Sequence, residues 1–338
     1  MRPEDDAFAV LLPAIDDLVL TDPLTRFLSE GGRALLIGET RAEYLAREMS
    51  PARRAGETAA DLRALTERIG RLVGPGLIAL DQEPAGIQRL HGLVPGLPGA
   101  DTLLTMPSEE IRAAAFAMAR AARAMGITML LSPVLDLVTG TNPWLRGRSL
   151  GPDGEQVARI GAAFICGVEA AGVVATAKHF PGHHDIDGDP AVEIATVRGD
   201  AAALMPGMIP FRAAIAAGVR AVMTGPALVP GMDPRMPSSL SAPTIAALRG
   251  MGFTGLVVSD DLDAAGTLRG TRDVATAAVE ALIAGADLLL LSAANDLPAI
   301  RARIVQAVRA GQLPAPRLAA AADRVRALAT RVGGADAH

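Results

Sequence analysis

Two acids in succession, Asp260 and Asp261, close the apolar run "GLVVSDDLDAAG". If that run is a β-strand, successive side chains point to opposite faces, so one carboxylate faces a substrate and its neighbour turns aside. The pair could equally cap the helix that follows, since aspartate is a strong N-cap. A second apolar run leads into "TAKHFPGHHDIDGDPAVE", Thr176 to Glu193, which holds His179, His183 and His184, three of the five histidines in the chain, with Lys178 and four acids. A lysine in a dry cavity could serve as a Schiff-base nucleophile if its pKa fell, but nearby acids would keep it charged. Asp81 and Thr224 end two further runs in the same way.

Positioning such residues together needs a fold that gathers strand ends. Eight short apolar runs recur along the chain: "FAVLLP", "RALLIG", "GLIALD", "TMLLSPV", "VVATAKHF", "RAVMTGP", "GLVVSDD" and "DLLLLS". Helical periodicity fills most gaps between them, at 59–72, 108–125, 154–171 and 273–284. Continuous apolar strands alternating with helices imply parallel strands buried on both faces. The expected fold is therefore α/β, a single (β/α)8 TIM-type barrel over residues 1–338, with a tail that frays after about residue 332. The C-terminal strand ends of such a barrel converge around one cavity. "MDPRMPSS", near residue 235, reads as a long strand-to-helix loop on that face. No GxGxxG or P-loop pattern follows a strand, which leaves a nucleotide-binding reading without support.

Composition narrows the partners. Half the 338 residues are hydrophobic but only 3% are aromatic, so the core is built from aliphatic side chains. The net charge of -5 comes with basic residues scattered among acids, giving no basic stripe for nucleic acid or anionic lipid. The one cysteine, Cys166, sits in an apolar helical pattern and reads as a lone buried thiol. Acids near the N-terminus and the break at Pro13 do not suit a signal peptide. No apolar stretch approaches the ~20 residues of a membrane helix. A cytoplasmic protein is expected, with no cofactor and no metal, the loop's His and Asp residues lacking helix-based ligand spacing.

The motifs "ALDQEPAGIQR", "SPVLD", "KHFPGH" and "VVSDDL" stand in an order and approximate spacing that resemble glycoside hydrolase family 3. Across roughly residues 7–330 the chain is similar to the single-domain bacterial β-N-acetylhexosaminidase branch. The resemblance implies that Asp260 is the nucleophile of a retaining glycosidase, attacking the anomeric carbon to form a glycosyl-enzyme. It implies that Asp81, Arg89, Arg148, Lys178 and His179 grip the hydroxyls of the terminal sugar. Each has a plainer alternative: Arg89 a surface charge, Arg148 a loop salt bridge, Lys178 a tie between strand ends.

The chain departs from the family in one loop above all. There the branch continues from K-H-F-P-G-H-G to an Asp-Ser-His whose Asp-His pair supplies the acid/base. Laid without gaps on this chain, those positions are Asp189, Pro190 and Ala191, so a methyl group stands where the proton donor belongs. Asp189 and His184, the latter replacing a family glycine, are the candidates for a rearranged pair, and His183 is read as a brace for the loop. Pro84, Ala85 and Gly86 replace a usual Gly-Gly-Arg, and Pro226 replaces a usual His. The expectation is an enzyme acting on a carbohydrate, a terminal β-linked N-acetylglucosamine-type glycoside, with an altered proton donor. The alternatives are a sugar-binding barrel without turnover and a Schiff-base lysine lyase.

Overall fold

All eight apolar runs become strands in the computed structural model, which describes residues 3–334. The strands are β1 (Leu11–Ile15), β2 (Ala34–Ile37), β3 (Leu77–Leu80), β4 (Met129–Leu130), β5 (Val174–Phe180), β6 (Ala221–Thr224), β7 (Leu256–Val258) and β8 (Leu289–Ser292). They form one parallel sheet in the order β8-β1-β2-β3-β4-β5-β6-β7. A parallel bridge between Val258 and Leu288 joins the two ends, backed by Ser259 N donating to Leu288 O at 2.9 Å and Leu262 N to Leu290 O at 2.9 Å. The expected (β/α)8 barrel is what the chain adopts. Two runs are trimmed: the fourth forms strand only at Met129–Leu130, and in the first Phe8 and Ala9 finish a helix at Pro3–Ala9, whose first turn carries Glu4, Asp5 and Asp6, so that the strand begins at Leu11. Acids there suit the positive end of a helix.

Alternation along the strands sorts the apolar residues into two cores. Leu12, Leu36, Ala79, Met129, Val174, Met223, Val258 and Leu290 fill the barrel interior, while Leu11, Leu35, Ile78, Leu130, Ala175, Val222, Val257 and Leu289 pack under the helices. Small interior side chains such as Ala34, Ala79 and Ala221 explain how a chain so poor in aromatics fills a barrel without voids. The last helix, Ala315–Gly333, sends Val325, Ala329 and Val332 into the interior cluster and so closes the N-terminal end of the barrel. The expected frayed tail falls largely on residues 335–338, outside the described residues.

"MDPRMPSS" lies, as expected, in the long connection from β6 to the helix Ala242–Gly250, and the connection carries structure of its own: Leu228–Val229 pairs antiparallel with Asp233–Pro237, and a 3-10 turn at Ser238–Leu240 follows. Asp233 organises the corner, its carboxylate accepting from the Arg235 amide at 3.0 Å and the Ser241 hydroxyl at 2.9 Å. Cys166 is partly exposed rather than buried. Among the described residues no helix is long and apolar enough to cross a membrane.

Candidate active site

A cavity of about 550 Å³ opens at the C-terminal mouth of the barrel. Asp81, Arg148, Lys178, His179, Asp260 and Asp261 all line it, together with Glu39, Tyr44, Trp144, Ala191 and Pro226. Six of the residues named from the sequence thus meet in one cavity. Both members of the Asp260–Asp261 pair reach the cavity, because β7 ends at Val258 and strict alternation ends with it. Neither caps the following short helix, whose N-cap is Ala264 without a side-chain bond.

Charge in this wall is arranged around a buried acid that sequence reasoning did not single out. Glu83, fully buried, accepts from Arg148 at 2.7 and 3.1 Å and from Lys178 at 2.9 Å. Lys178 also donates to Asp81 at 2.5 Å. Burial opposes ionisation of Glu83, yet Arg148 and Lys178 outweigh it and bring the carboxyl down to about 2. Burial likewise works against charge on Lys178, but Asp81 and Glu83 raise its pKa above the usual lysine value. The amine is therefore an ammonium at neutral pH, which removes the Schiff-base chemistry considered above. Gly86 allows this packing: it has φ +102°, and a Cβ there would lie 2.5 Å from Glu83 Oε2 and 2.9 Å from Arg148 Cγ. Arg148 Nη1 keeps no partner.

Asp136 plays the matching part for the histidines. It is wholly buried, and its carboxylate accepts from the His179 amide at 2.9 Å and the His183 amide at 2.7 Å, with His179 Nδ1 at 2.7 Å and His183 Nδ1 at 3.3 Å. Burial would push this carboxyl up, but the two imidazoles hold it far below the usual range. Burial lowers His179, so its ring is neutral at pH 7 with the proton on Nδ1 towards Asp136. That leaves the Nε2 lone pair facing the cavity, 3.6 Å from Asp260 Oδ2. The Lys178–His179 peptide bond is cis, and both side chains line the cavity. His183 accordingly braces the loop.

Asp260 hangs from the strand end by its backbone, its amide donating to Thr224 O at 3.1 Å and to Ser239 Oγ at 3.0 Å. Its Oδ1 accepts from the Asp261 amide at 2.7 Å, and its Oδ2 is buried without any hydrogen-bond partner. Trp144 and Tyr44 complete the wall. They are the chain's one tryptophan and one tyrosine, and the indole donates to the phenol oxygen at 3.0 Å. Trp144 also packs on His179, with ring centroids 4.5 Å apart. Their singularity in an aromatic-poor chain was the signal that could have found them.

Three named residues lie outside the lining. Arg89 is wholly buried and gives its guanidinium to Gly38 O at 2.6 Å and Glu57 at 2.5 and 2.9 Å. His184 turns towards Gly199, and its backbone oxygen accepts from the Thr139 amide at 2.8 Å and Asn142 Nδ2 at 3.0 Å. Asp189 takes the Ala191 amide at 3.0 Å and lies 4.0 Å from Arg47 Nη2. The loop is pinned just after Asp189, where Pro190 O accepts from the Gly266 amide at 2.8 Å. Ala191, which reaches the cavity, brings only a methyl group.

The sequence model of the family described as "Glycosyl hydrolase family 3 N terminal domain" matches residues 44–328. The chain belongs to glycosyl hydrolase family 3. A family relative named as a β-hexosaminidase from Xylella fastidiosa is 37% identical over 245 residues, 70% of each chain. The barrel of this family 3 chain superimposes with a TM-score of 0.88 on a family 3 β-N-acetylglucosaminidase from a Paenibacillus species, at 30% identity. That match covers 98% of this chain and 63% of the Paenibacillus one, so this chain spans less than two thirds of that relative. A β-N-acetylhexosaminidase from Beutenbergia cavernae matches with a TM-score of 0.79 at 28% identity, over 99% of this chain and 98% of its own.

Proposed function

We propose that the chain hydrolyses a terminal β-linked N-acetylglucosamine-type glycoside with retention of configuration, through a covalent ester on Asp260, and with a proton donor other than the family's loop histidine. The observation that carries this reading is the unpartnered Oδ2 of Asp260, held at the strand end on the same cavity as Asp81, Arg148, Lys178 and His179. The transition state of glycoside cleavage is oxocarbenium-like and positive, so a carboxylate oxygen kept free of hydrogen bonds attracts the anomeric carbon as charge develops there. Asp81 and Lys178 offer charged acceptor and donor groups to sugar hydroxyls, and the Nε2 lone pair of His179 accepts from another. The sugar class is taken from the names of the relatives. Mass spectrometry after incubation with an activated 2-deoxy-2-fluoro glycoside tests the ester: a stable adduct on Asp260 is expected, and none on the D260N variant. Turnover of an aryl glycoside by D260N would overturn the reading.

One observation favours a second reading, sugar binding without turnover: the position of the family's donor is Ala191, on the cavity wall. Calorimetric binding of N-acetylglucosamine with no adduct from the fluoro sugar would support it.

A further inference from the structure

Few groups on the cavity wall hold a proton that they can release near neutral pH. Lys178 and Arg148 keep theirs, both being raised above their usual values by Asp81 and Glu83 against the opposing effect of burial. His179 is neutral, and its one ring proton is committed to Asp136. Asp81 is paired with Lys178. Tyr44 accepts the Trp144 indole and keeps its own O–H to donate, but a phenol is a far weaker acid than a carboxyl, and Asp16, Asp17 and Arg41 stand on the exposed rim. Asp261, next to the nucleophile in the chain, is also raised to about 8 by burial and Asp263, but its Oδ1 is held by the Asp263 amide at 2.9 Å, which fixes its carboxyl in the turn. Glu39 is set apart among these carboxyls: it lines the cavity just beyond β2, and its Oε2 is buried with no hydrogen-bond partner among the described residues.

We propose that Glu39 is the proton donor and acceptor of the hydrolysis, taking the place of the absent histidine. The assignment rests on Asp260 as the nucleophile. The backbone on both sides of Glu39 is fixed. Gly38 N donates to Ile15 O at 2.7 Å, and Gly38 O accepts from Arg89 Nε at 2.6 Å. Thr40 next caps the helix Arg41–Ala46 in a reciprocal box with Glu43. The side chain thus projects from a clamped segment, as a proton-transfer group requires. Arg89 and Glu57, outside the cavity, then serve to hold the segment that carries Glu39.

The electrostatics suit the role. Burial first, then the nearby Asp81 and Glu83, raise the Glu39 carboxyl, while Lys178 and Arg89 pull the other way, and the result is about 8. A donor with a pKa near the working pH is protonated for the first step and basic enough for the second. In the first step an oxygen of the Asp260 carboxylate bonds to the anomeric carbon and the bond to the leaving oxygen breaks. The Glu39 proton goes to that oxygen, releasing an alcohol and leaving a glycosyl ester and a Glu39 carboxylate. In the second step water attacks the anomeric carbon, Glu39 takes the water proton and Asp260 departs as carboxylate.

The test is Glu39→Gln assayed on N-acetylglucosaminides of graded leaving-group pKa. The expected loss is roughly 100- to 10,000-fold in kcat/KM for a disaccharide or other poor leaving group, and less than about tenfold for a 2,4-dinitrophenyl glycoside that needs no acid. The alkaline limb of the wild-type kcat/KM profile, expected near pH 8, should vanish in the variant. Added azide should restore turnover of the activated substrate and yield a glycosyl azide. A loss equal across all leaving groups would make Glu39 a sugar-gripping residue and overturn the assignment, as would an unchanged profile. Trapping on Asp260 is scored separately, so failure of the nucleophile and failure of the donor read differently.

Discussion

Asp260 and Asp287 are both aspartates at barrel strand ends, one at the mouth and one at the floor, and they are treated in opposite ways. Asp287, just before β8 and wholly buried, has every acceptor position used. Its Oδ2 takes Arg249 at 2.8 Å and the Val257 amide at 3.1 Å, and its Oδ1 takes Arg317 at 2.9 Å and Arg324 at 3.1 Å. Asp260 has one oxygen on a neighbouring amide and the other on nothing. At the mouth Glu39 Oε2 and Arg148 Nη1 also lack partners. Buried polar groups are ordinarily satisfied, and each exception needs a reason. The floor uses its ions to tie Arg249, on the helix before β7, and two arginines of the last helix to the barrel; the mouth leaves single atoms of Asp260, Glu39 and Arg148 free for a ligand.

That contrast is broken most directly by exchanging the two aspartates for asparagine in turn. D260N is expected to lower kcat on an aryl N-acetylglucosaminide by more than roughly a thousandfold, beyond what one electrostatic contact supplies. Its melting temperature should stay level or rise, because no bond of the Oδ2 atom is lost. Steady-state kinetics and calorimetry on one preparation check both halves; a marked drop in melting temperature would mean that Asp260 is a structural ion like Asp287.

Glu83→Gln sharpens the comparison from inside the mouth, where one acid is satisfied. Removing a partner from a buried ion cluster typically destabilises by about 3–5 kcal/mol, and here both Lys178 and Arg148 would lose their shared anion. Urea unfolding should show that loss, and KM should rise because Lys178 and Arg148 are no longer held at the wall. Loss of stability with KM unchanged would separate the cluster from substrate binding. D287N should destabilise by about 3 kcal/mol, the low end of that range, since its three arginines reach solvent. Its kcat/KM should remain within about twofold of wild type, the floor lying at the opposite end of the barrel from the chemistry.

The same contrast marks what was legible in the sequence. Eight apolar runs and the helical periods between them carried the barrel, because burial on both faces leaves a strand no polar positions. Asp81, Lys178, His179 and Asp260 were visible because each interrupts such a run at its C-terminal edge. Glu83 and Asp136 escaped notice because their importance lies in partners distant along the chain, Arg148 for the first and His179 and His183 for the second. Arg89 shows the reverse: its match to a family position could not reveal Glu57, 32 residues away, as the group that engages it. Glu39 follows an ordinary apolar run and a glycine, and only the closed barrel brings it to the wall shared with Asp260.

The last test concerns the stability cost of leaving Glu39 unpaired. Its folded-state pKa is raised from 4.5 to about 8, so the folded protein resists an ionisation that the unfolded chain accepts. The contribution to stability is therefore intact below about pH 4.5, declines as pH rises, and is lost once pH passes the folded value near 8. E39Q removes this titration and retains a similar shape. The melting temperature of E39Q minus that of wild type should accordingly lie near its minimum at pH 4, climb to about pH 8 and level off above it. Asp261, also raised to about 8 by burial and by Asp263, titrates in both proteins and cancels in the difference. A difference that stays flat across this range would mean that the Glu39 carboxyl meets water or a partner in the folded protein, and the mouth would then be no less satisfied than the floor.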